Sequence, residues 1–170
     1  VCAHKDKFSR LPMIGGQLAY ILALFYCFFS AIQNRFTVKI DDHPAVEKDF
    51  LLAVAANGRF YGGGFCPVPA ADPTDGKLEI LLVKDVSRLK VAQVVGAYKD
   101  GKYANFPDLI RHFSTDHVKI ICDKPTGINL DGEKREGTVI DMSIAEKKLR
   151  FFYPKGITFK AEAAKEAATV

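Results

Sequence analysis

Several patterns that would indicate a metal centre or a covalent nucleophile are missing from this sequence. The four cysteines, at positions 2, 27, 66 and 122, lie far apart and form no Cys-x-x-Cys pair. Zinc modules usually contain such close ligand pairs, so that class is excluded. The four histidines are equally scattered, and no Ser or Cys nucleophile arrangement accompanies them. A hydrolase mechanism therefore has no support.

The chain also lacks a large excess of positive or negative charge. The chain has 24 Lys and Arg against 20 Asp and Glu, a net charge of +4. Nucleic-acid binding usually requires clustered basic stripes, so no nucleic-acid partner is expected. A mild positive charge is compatible with a peripheral contact to an anionic membrane surface. The sequence has no Asn-x-Ser/Thr acceptor, and with unpaired cysteines the simplest setting is a reducing cytoplasm.

What the sequence does contain is enough apolar material for one packed domain. Of 170 residues, 48% are hydrophobic and 13 are phenylalanine. The longest apolar run is Leu18 to Ile32. As a helix it would reach roughly 22 Å, which is short of a bilayer core about 30 Å thick. We predict a buried helix there, with an interfacial helix against the membrane as the alternative.

The rest of the chain is rich in strand patterns. One helix is predicted over Ser87–Tyr98, with Ser87 as its N-cap. Few helices among many strands favour a mainly β (α+β) domain, an antiparallel sheet or sandwich with helical insertions. The predicted strands are Phe36–Ile40, Leu51–Ala56, Leu78–Val83, Val118–Cys122, Thr138–Ser143 and Leu149–Tyr153.

Three short motifs lie between these elements. The first is Asn57-Gly58-Arg59-Phe60-Tyr61-Gly62-Gly63-Gly64, the second runs from Pro69 to Leu78 around Asp75-Gly76, and the third is Leu130-Asp131-Gly132-Glu133. Each has a purely structural interpretation. Asp-Gly between strand patterns predicts a tight turn, and three glycines suit a bulge or a sharp bend. Asp72, next to Pro73, is interpreted as a turn former.

In this order and spacing the motifs resemble the diacylglycerol kinase family of lipid kinases, including its sphingoid-base kinase relatives. The matching patterns are N-G-x-x-x-G-G-G, P-x-A-x-x-x-D-G-x-L and L-D-G-E, and the resemblance extends from about Leu18 to Pro154. It lies in the C-terminal, substrate-side domain of that family, which implies a β-sandwich-like fold.

The resemblance also implies roles for particular residues. Asp131 would be the base that deprotonates the lipid hydroxyl, and Glu133 would hold or tune it. Asp75 would contact magnesium through water. Anion or cofactor contacts would come from the cluster Asn57, Gly62, Gly63 and Gly64, although Asn57 is equally well explained as the cap of a strand end.

The family's nucleotide-binding domain, with its G-G-D-G-T phosphate loop, has no counterpart in this sequence. The chain opens on Val1, so we expect a C-terminal piece in which residues 1–158 form the domain, its first strand incomplete, and residues 159–170 an Ala/Glu/Lys-rich tail. ATP and Mg²⁺ would bind mainly to the absent domain, and this chain alone would be inactive. In the complete protein we expect phosphorylation of a lipid hydroxyl, foremost that of diacylglycerol.

Alternatives stay open at this point. The acceptor could be a sphingoid base or another lipid alcohol, or the chain could be a non-catalytic lipid- or protein-binding module. Exposed strand edges leave room for a homodimer. The basic residues around positions 99–112 suit a solvated loop, with phosphate or lipid head groups as the alternative contact; they are Lys99, Lys102, Arg111 and His112.

Overall fold

A computed structural model describes residues 34–41, 43–61, 65–147, 149–150, 152 and 154–155. Three predictions fall outside these residues and are not tested: the helix over 18–32, the conformation of Gly62 to Gly64, and the tail over 159–170.

The described part of the chain is built mainly from six antiparallel strands. They are β1 (Asn34–Ile40), β2 (Val46–Ala56), β3 (Leu78–Lys84), β4 (Ile110–Thr115), β5 (His117–Leu130) and β6 (Glu133–Ser143). A helix, α1 (Arg88–Lys99), and a short 3₁₀ turn (Tyr103–Asn105) connect β3 to β4. The strands form one sheet in the order β4-β3-β2-β1-β5-β6. The mainly β fold class is confirmed.

The predicted set of strands needs two corrections. Strand β4 was not predicted, because the mixed sequence Ile-Arg-His-Phe-Ser-Thr has polar residues on both faces. The strand predicted over Leu149–Tyr153 is not supported, since Leu149 and Arg150 lie outside any strand, and positions 151 and 153 are among the residues not described.

The sheet folds over itself to make a sandwich-like core. Strands β3 and β5 are three positions apart in the sheet, roughly 14 Å if it were flat. Yet side chains from β1, β3 and β5 share one buried cluster. The fold occurs along β2, which pairs with β1 through Val46 to Phe50 and with β3 through Phe50 to Ala56. A register shift between Phe50 and Leu52 marks the bulge that bends it. The fully buried members of the cluster include Val38, Ile40, Phe50, Ile80, Leu82 and Val118.

Strand β3 is buried on its other face as well. There Leu81 packs in a second cluster with Val94 and Tyr98 of α1. Ser87 precedes the first helical residue as predicted, although its side chain makes no capping hydrogen bond. The predicted apolar face of the helix was partly wrong, since Leu89 is 79% exposed. The side chain of Tyr98, rather than that of Leu89, anchors α1 to the sheet.

The bend divides the sheet into two layers, one with β3 and β4 and the other with β1, β5 and β6. A contact between Thr115 at the end of β4 and Asp41 after β1 joins these layers at one end. The buried Thr115 hydroxyl donates to the Asp41 carboxylate and accepts from the His117 N–H at 3.1 Å. Asp41 has a positive φ of 42°, a conformation that Asp tolerates better than most residues. The end of β1 is thereby tied to the β4–β5 connection.

Two glycines with similar φ angles, Gly101 and Gly76, differ in how closely other residues approach them. Gly101 has φ of 71°, and a Cβ there would lie 2.5 Å from Pro69 Cδ and 2.7 Å from the Cys66 carbonyl oxygen. Gly76 has φ of 78° and nothing within 4 Å of that position. We expect Gly101→Ala to lower the free energy of unfolding by about 2 to 5 kcal/mol, because strain and overlap add.

The matched variant Gly76→Ala should lose only about 1 to 2 kcal/mol, from the backbone alone. Urea unfolding followed by circular dichroism measures both. Equal losses in the two variants would contradict the close approach of Pro69 to Gly101.

Candidate functional site

The L-D-G-E motif forms the tip of the β5–β6 hairpin. Leu130 pairs with Glu133, which leaves Asp131 and Gly132 as a two-residue turn. Both have positive φ, 49° and 99°. Such turns match the twist of the flanking strands and favour Asn-Gly or Asp-Gly. The Asn129 side-chain oxygen accepts a hydrogen bond from the Gly132 N–H at 2.9 Å and fixes the turn.

The turn places Asp131 in solvent at the end of a protruding arm. Beyond Cys122, β5 has no pairing with β1 among the described residues and continues with β6 alone. Most side chains of this part of the hairpin are exposed on both faces. The Asp131 carboxylate is therefore accessible to a separate body or a lipid surface.

Glu133 binds a different partner from the one expected. Its carboxylate accepts from Arg135 Nη2 at 2.8 Å, and both side chains are largely exposed. The tuning of Asp131 by Glu133 stays a prediction. In the described geometry the charge of Glu133 is shared with Arg135.

The second motif also forms a turn, directly before β3. Asp72 accepts from the backbone and hydroxyl of Thr74 at 2.8 and 2.6 Å, and these bonds hold the pKa of Asp72 below its usual value. Asp72 is thus a turn former, as predicted. Asp75 accepts from the Lys77 N–H at 2.8 Å, and Gly76 has positive φ. The aspartate is held by its own turn.

Asp75 lies on an open pocket of about 390 Å³ at the junction of the two layers. Two further carboxylates, Asp41 and Asp116, contribute to the lining, together with Lys77 and Thr115. The pocket is accordingly polar and predominantly acidic, although Lys77 offsets part of its charge.

The first motif adjoins the second. Asn57 follows the last residue of β2, and Ala56 pairs with Glu79 close to the Asp75 turn. Arg59 Nε donates to the Ala71 carbonyl at 3.3 Å and links the two segments. Asn57 therefore lies at the same end of the β2–β3 pair as the Asp75 turn.

Asp131 and Asp75 are not brought together. Asp116, which shares the pocket with Asp75, immediately precedes β5, whereas Asp131 immediately follows it. Fourteen strand residues span at most roughly 45 Å, and the register shift between Ile121 and Thr126 shortens that distance. The described chain thus presents two separate acidic sites.

A buried polar network on β3 and β4 was not singled out from the sequence. Glu79, 5% exposed, accepts from Ser114 Oγ at 2.8 Å and from His112 Nε2. Tyr103 completes the chain with a 3.3 Å hydrogen bond to His112 Nδ1. The available signal was a glutamate inside the otherwise apolar strand Leu-Glu-Ile-Leu-Leu-Val. Arg111 and His112 lie in β4 and not in a loop, and they point to opposite faces.

Burial alone would raise the pKa of Glu79, but the hydrogen bonds from His112 and Ser114 outweigh it. The pKa of Glu79 therefore lies below its ordinary value of 4.5. A carboxyl with a lowered folded-state pKa stabilises the fold above its unfolded pKa, and this contribution is lost as the pH falls through the folded value.

Glu79→Gln should be less stable than the wild type at pH 7 by about 1 to 3 kcal/mol. The difference should shrink as the pH falls below 4.5, because the unfolded wild-type chain then takes up a proton at this carboxyl, and it should be lost once the folded carboxyl is protonated at its lower pKa. Urea unfolding between pH 7 and 3 measures both curves, with the exposed Glu136→Gln as control. Parallel curves for wild type and Glu79→Gln would show that the network does not depress this pKa.

The sandwich-like fold and its motif-bearing turns define the class of this domain. The chain belongs to the family described as the YegS C-terminal NAD kinase beta sandwich-like domain, which matches residues 3–153. The resemblance noted from the three motifs is thereby confirmed.

Particular relatives in this family carry kinase names. A diacylglycerol kinase of Mycobacterium tuberculosis is 27% identical over 130 residues, which are 75% of this chain and 41% of the relative. A Staphylococcus carnosus protein, named provisionally as a lipid kinase, is 21% identical over 81% of this chain and 45% of its own length. The chain spans less than half the length of both.

A solved structure shares the fold. The crystal structure of a Bacillus anthracis protein described as a diacylglycerol kinase superposes with a TM-score of 0.53 at 21% identity, over 69% of this chain and 40% of that one. Within the described residues no helix is long and apolar enough to cross a membrane.

Proposed function

We propose that this chain is the substrate-side domain of an ATP-dependent kinase that phosphorylates a lipid hydroxyl, with diacylglycerol as acceptor and phosphatidic acid as product. The observation that carries the proposal is the family match over residues 3–153, within which all three motifs fall. The name of the Mycobacterium tuberculosis relative supports the choice of diacylglycerol.

In this proposal Asp131 takes the proton from the acceptor hydroxyl. The lipid oxygen then forms its bond to the terminal phosphorus of ATP as the bond to ADP breaks. Asp131 and Gly132, both with positive φ, form the turn that places the carboxylate at the tip of the β5–β6 hairpin. There it can meet a lipid hydroxyl at the membrane surface while a nucleotide approaches from a second domain.

Asp75 suits a contact with magnesium through water, but it does not make a metal site alone. The described residues contain no group of three His, Cys, Asp or Glu side chains that could hold a metal ion. Magnesium commonly uses one or two carboxylates together with water and phosphate oxygens. When bound, it would neutralise phosphate charge. We assign Asp75 a single contact with the metal, through water.

The nucleotide-binding part is proposed to lie in a preceding domain, since this chain spans only 41% of its Mycobacterium tuberculosis relative. In this proposal ATP contacts from this chain would come from Asn57 and the Gly62–Gly64 segment. The domain acts in the cytoplasm at the membrane surface.

The isolated chain of 170 residues is expected to transfer no phosphate, because it lacks the phosphate loop of the family. The measurement is the transfer of radiolabelled phosphate from magnesium-ATP to diacylglycerol in mixed micelles. Turnover by the purified chain above that of a protein-free blank would refute the proposal that ATP binding requires a preceding domain.

In the complete enzyme, Asp131→Asn should lower kcat by about 10²- to 10⁴-fold, the usual contribution of a general base. Asn is as favourable as Asp in this turn, so the fold should survive. The matched control is Asp123→Asn, an exposed aspartate of the same hairpin. Near-native kcat in Asp131→Asn would make Asp131 a turn residue only.

The acceptor is tested in the same assay with diacylglycerol, monoacylglycerol and a sphingoid base. Transfer to the sphingoid base alone would replace the proposed acceptor while retaining the reaction. If the complete protein phosphorylates none of the three, the non-catalytic binding module becomes the better interpretation.

A further inference from the structure

A second cleft, apart from Asp131 and Asp75, opens where the β1–β2 connection faces β4. Its volume is about 340 Å³, at the lower end of the range for small-molecule sites. It lies beside Ile40, which pairs with Val118 near the start of β5, so Asp131 is at the far end of that strand. Its lining includes Ile40, His43, Val46, Lys48, Arg111 and Phe113.

The inner wall of the cleft is apolar. Val38 and Ile40 belong to the fully buried core, and Phe113 packs against that core half-buried. His43 meets the Phe113 ring edge-on, with the ring centroids 5.8 Å apart. Val38 and Ile40 have almost no exposed surface, so the apolar surface that a ligand can reach comes from Phe113 and the half-buried Val46. Such a wall suits a hydrocarbon segment better than a small hydrophilic ion.

The rim of the cleft carries two cationic side chains, Arg111 and Lys48. Arg111 is half-buried, with its guanidinium carbon 5.5 Å from the Phe113 ring centroid. Among the described residues neither Arg111 nor Lys48 forms an ion pair. Glu47, a carboxylate among the described lining residues, is already held by Arg35 at 3.0 Å. Within the part of the chain that the structure describes, two positive charges therefore stand beside apolar surface without a carboxylate in salt-bridge contact.

We propose that this cleft binds an anionic phospholipid, with its phosphate on Arg111 and Lys48 and the first part of an acyl chain against Val46 and Phe113. A guanidinium binds phosphate oxygens through two parallel hydrogen bonds, and the ring below holds its plane in place. The contacts would anchor the sandwich to an anionic membrane. This site does not depend on the proposed kinase activity, since none of its residues belongs to the three motifs.

The test uses the 170-residue chain, which contains the whole cleft, and monomeric dihexanoyl phosphatidic acid as the probe. Two-dimensional ¹H–¹⁵N NMR titration should give saturable shifts at His43, Val46 and Phe113. Dihexanoyl phosphatidylcholine, which has no net charge, and inorganic phosphate, which has no chain, should each bind about tenfold more weakly or worse.

Arg111→Gln should weaken binding of the dihexanoyl phosphatidic acid by roughly 10- to 100-fold, the loss of a charge-assisted hydrogen bond. Lys48→Gln, at an exposed position of β2, should weaken it about tenfold and serves if Arg111→Gln does not fold. The matched control is Lys90→Gln, an exposed position on α1, which should bind as the wild type does.

Three results would overturn the proposal. Inorganic phosphate binding as tightly as the lipid would leave an anion site with no place for a chain. Equal binding of phosphatidylcholine would remove the role of Arg111 and Lys48. Shifts confined to the β5–β6 hairpin would place any lipid contact elsewhere. Because kinase activity enters none of these measurements, failure here leaves the proposed function untouched.

Discussion

Burial of β3 on both faces is the constraint on which the rest of this structure depends. One face packs Ile80 and Leu82 into the core shared with β1 and β5, and the other packs Leu81 against α1. The bulge in β2 bends the sheet so that β1 and β5 cover the inner face of β3. The outer face of β3 is covered by α1. The burial of Glu79 in the same strand then requires hydrogen-bond partners, which His112 and Ser114 supply.

The bend in β2 also decides where functional side chains can lie. It brings the end of β4 to the end of β1, so that Thr115 meets Asp41 and a polar pocket forms beside the Asp75 turn. On the other side of the β1 end, Arg111 and Phe113 face the β1–β2 connection across a cleft. The β5–β6 arm runs away from both pockets and carries Asp131 to its tip. A nucleotide or a lipid that reached Asp131 would need a second surface to complete its site, because the arm itself provides few buried contacts.

Most of the turns and strands could be predicted from the sequence. The turns at Asp72–Gly76 and Asp131–Gly132 follow from residues that accept positive φ or bond to their own backbone. Five of the six strands had apolar or alternating patterns, whereas β4 did not, since Arg111 and His112 interrupt both faces. Leu89 had helical spacing but faces solvent, because the sheet surface available to α1 is covered by Val94 and Tyr98 instead.

Motif spacing, strand periodicity and turn chemistry act over a few neighbouring positions, so the family, the strand-rich class and the turn residues could be predicted from the sequence alone. The folded structure was needed to show that Asp75 and Asp131 lie toward opposite ends of β5, that Glu79 is buried against His112, and that Arg111 and Phe113 face the β1–β2 connection across a cleft. Each of these joins or separates residues distant in the chain, and their placement depends on where β2 bends and which faces the folded sheet then covers.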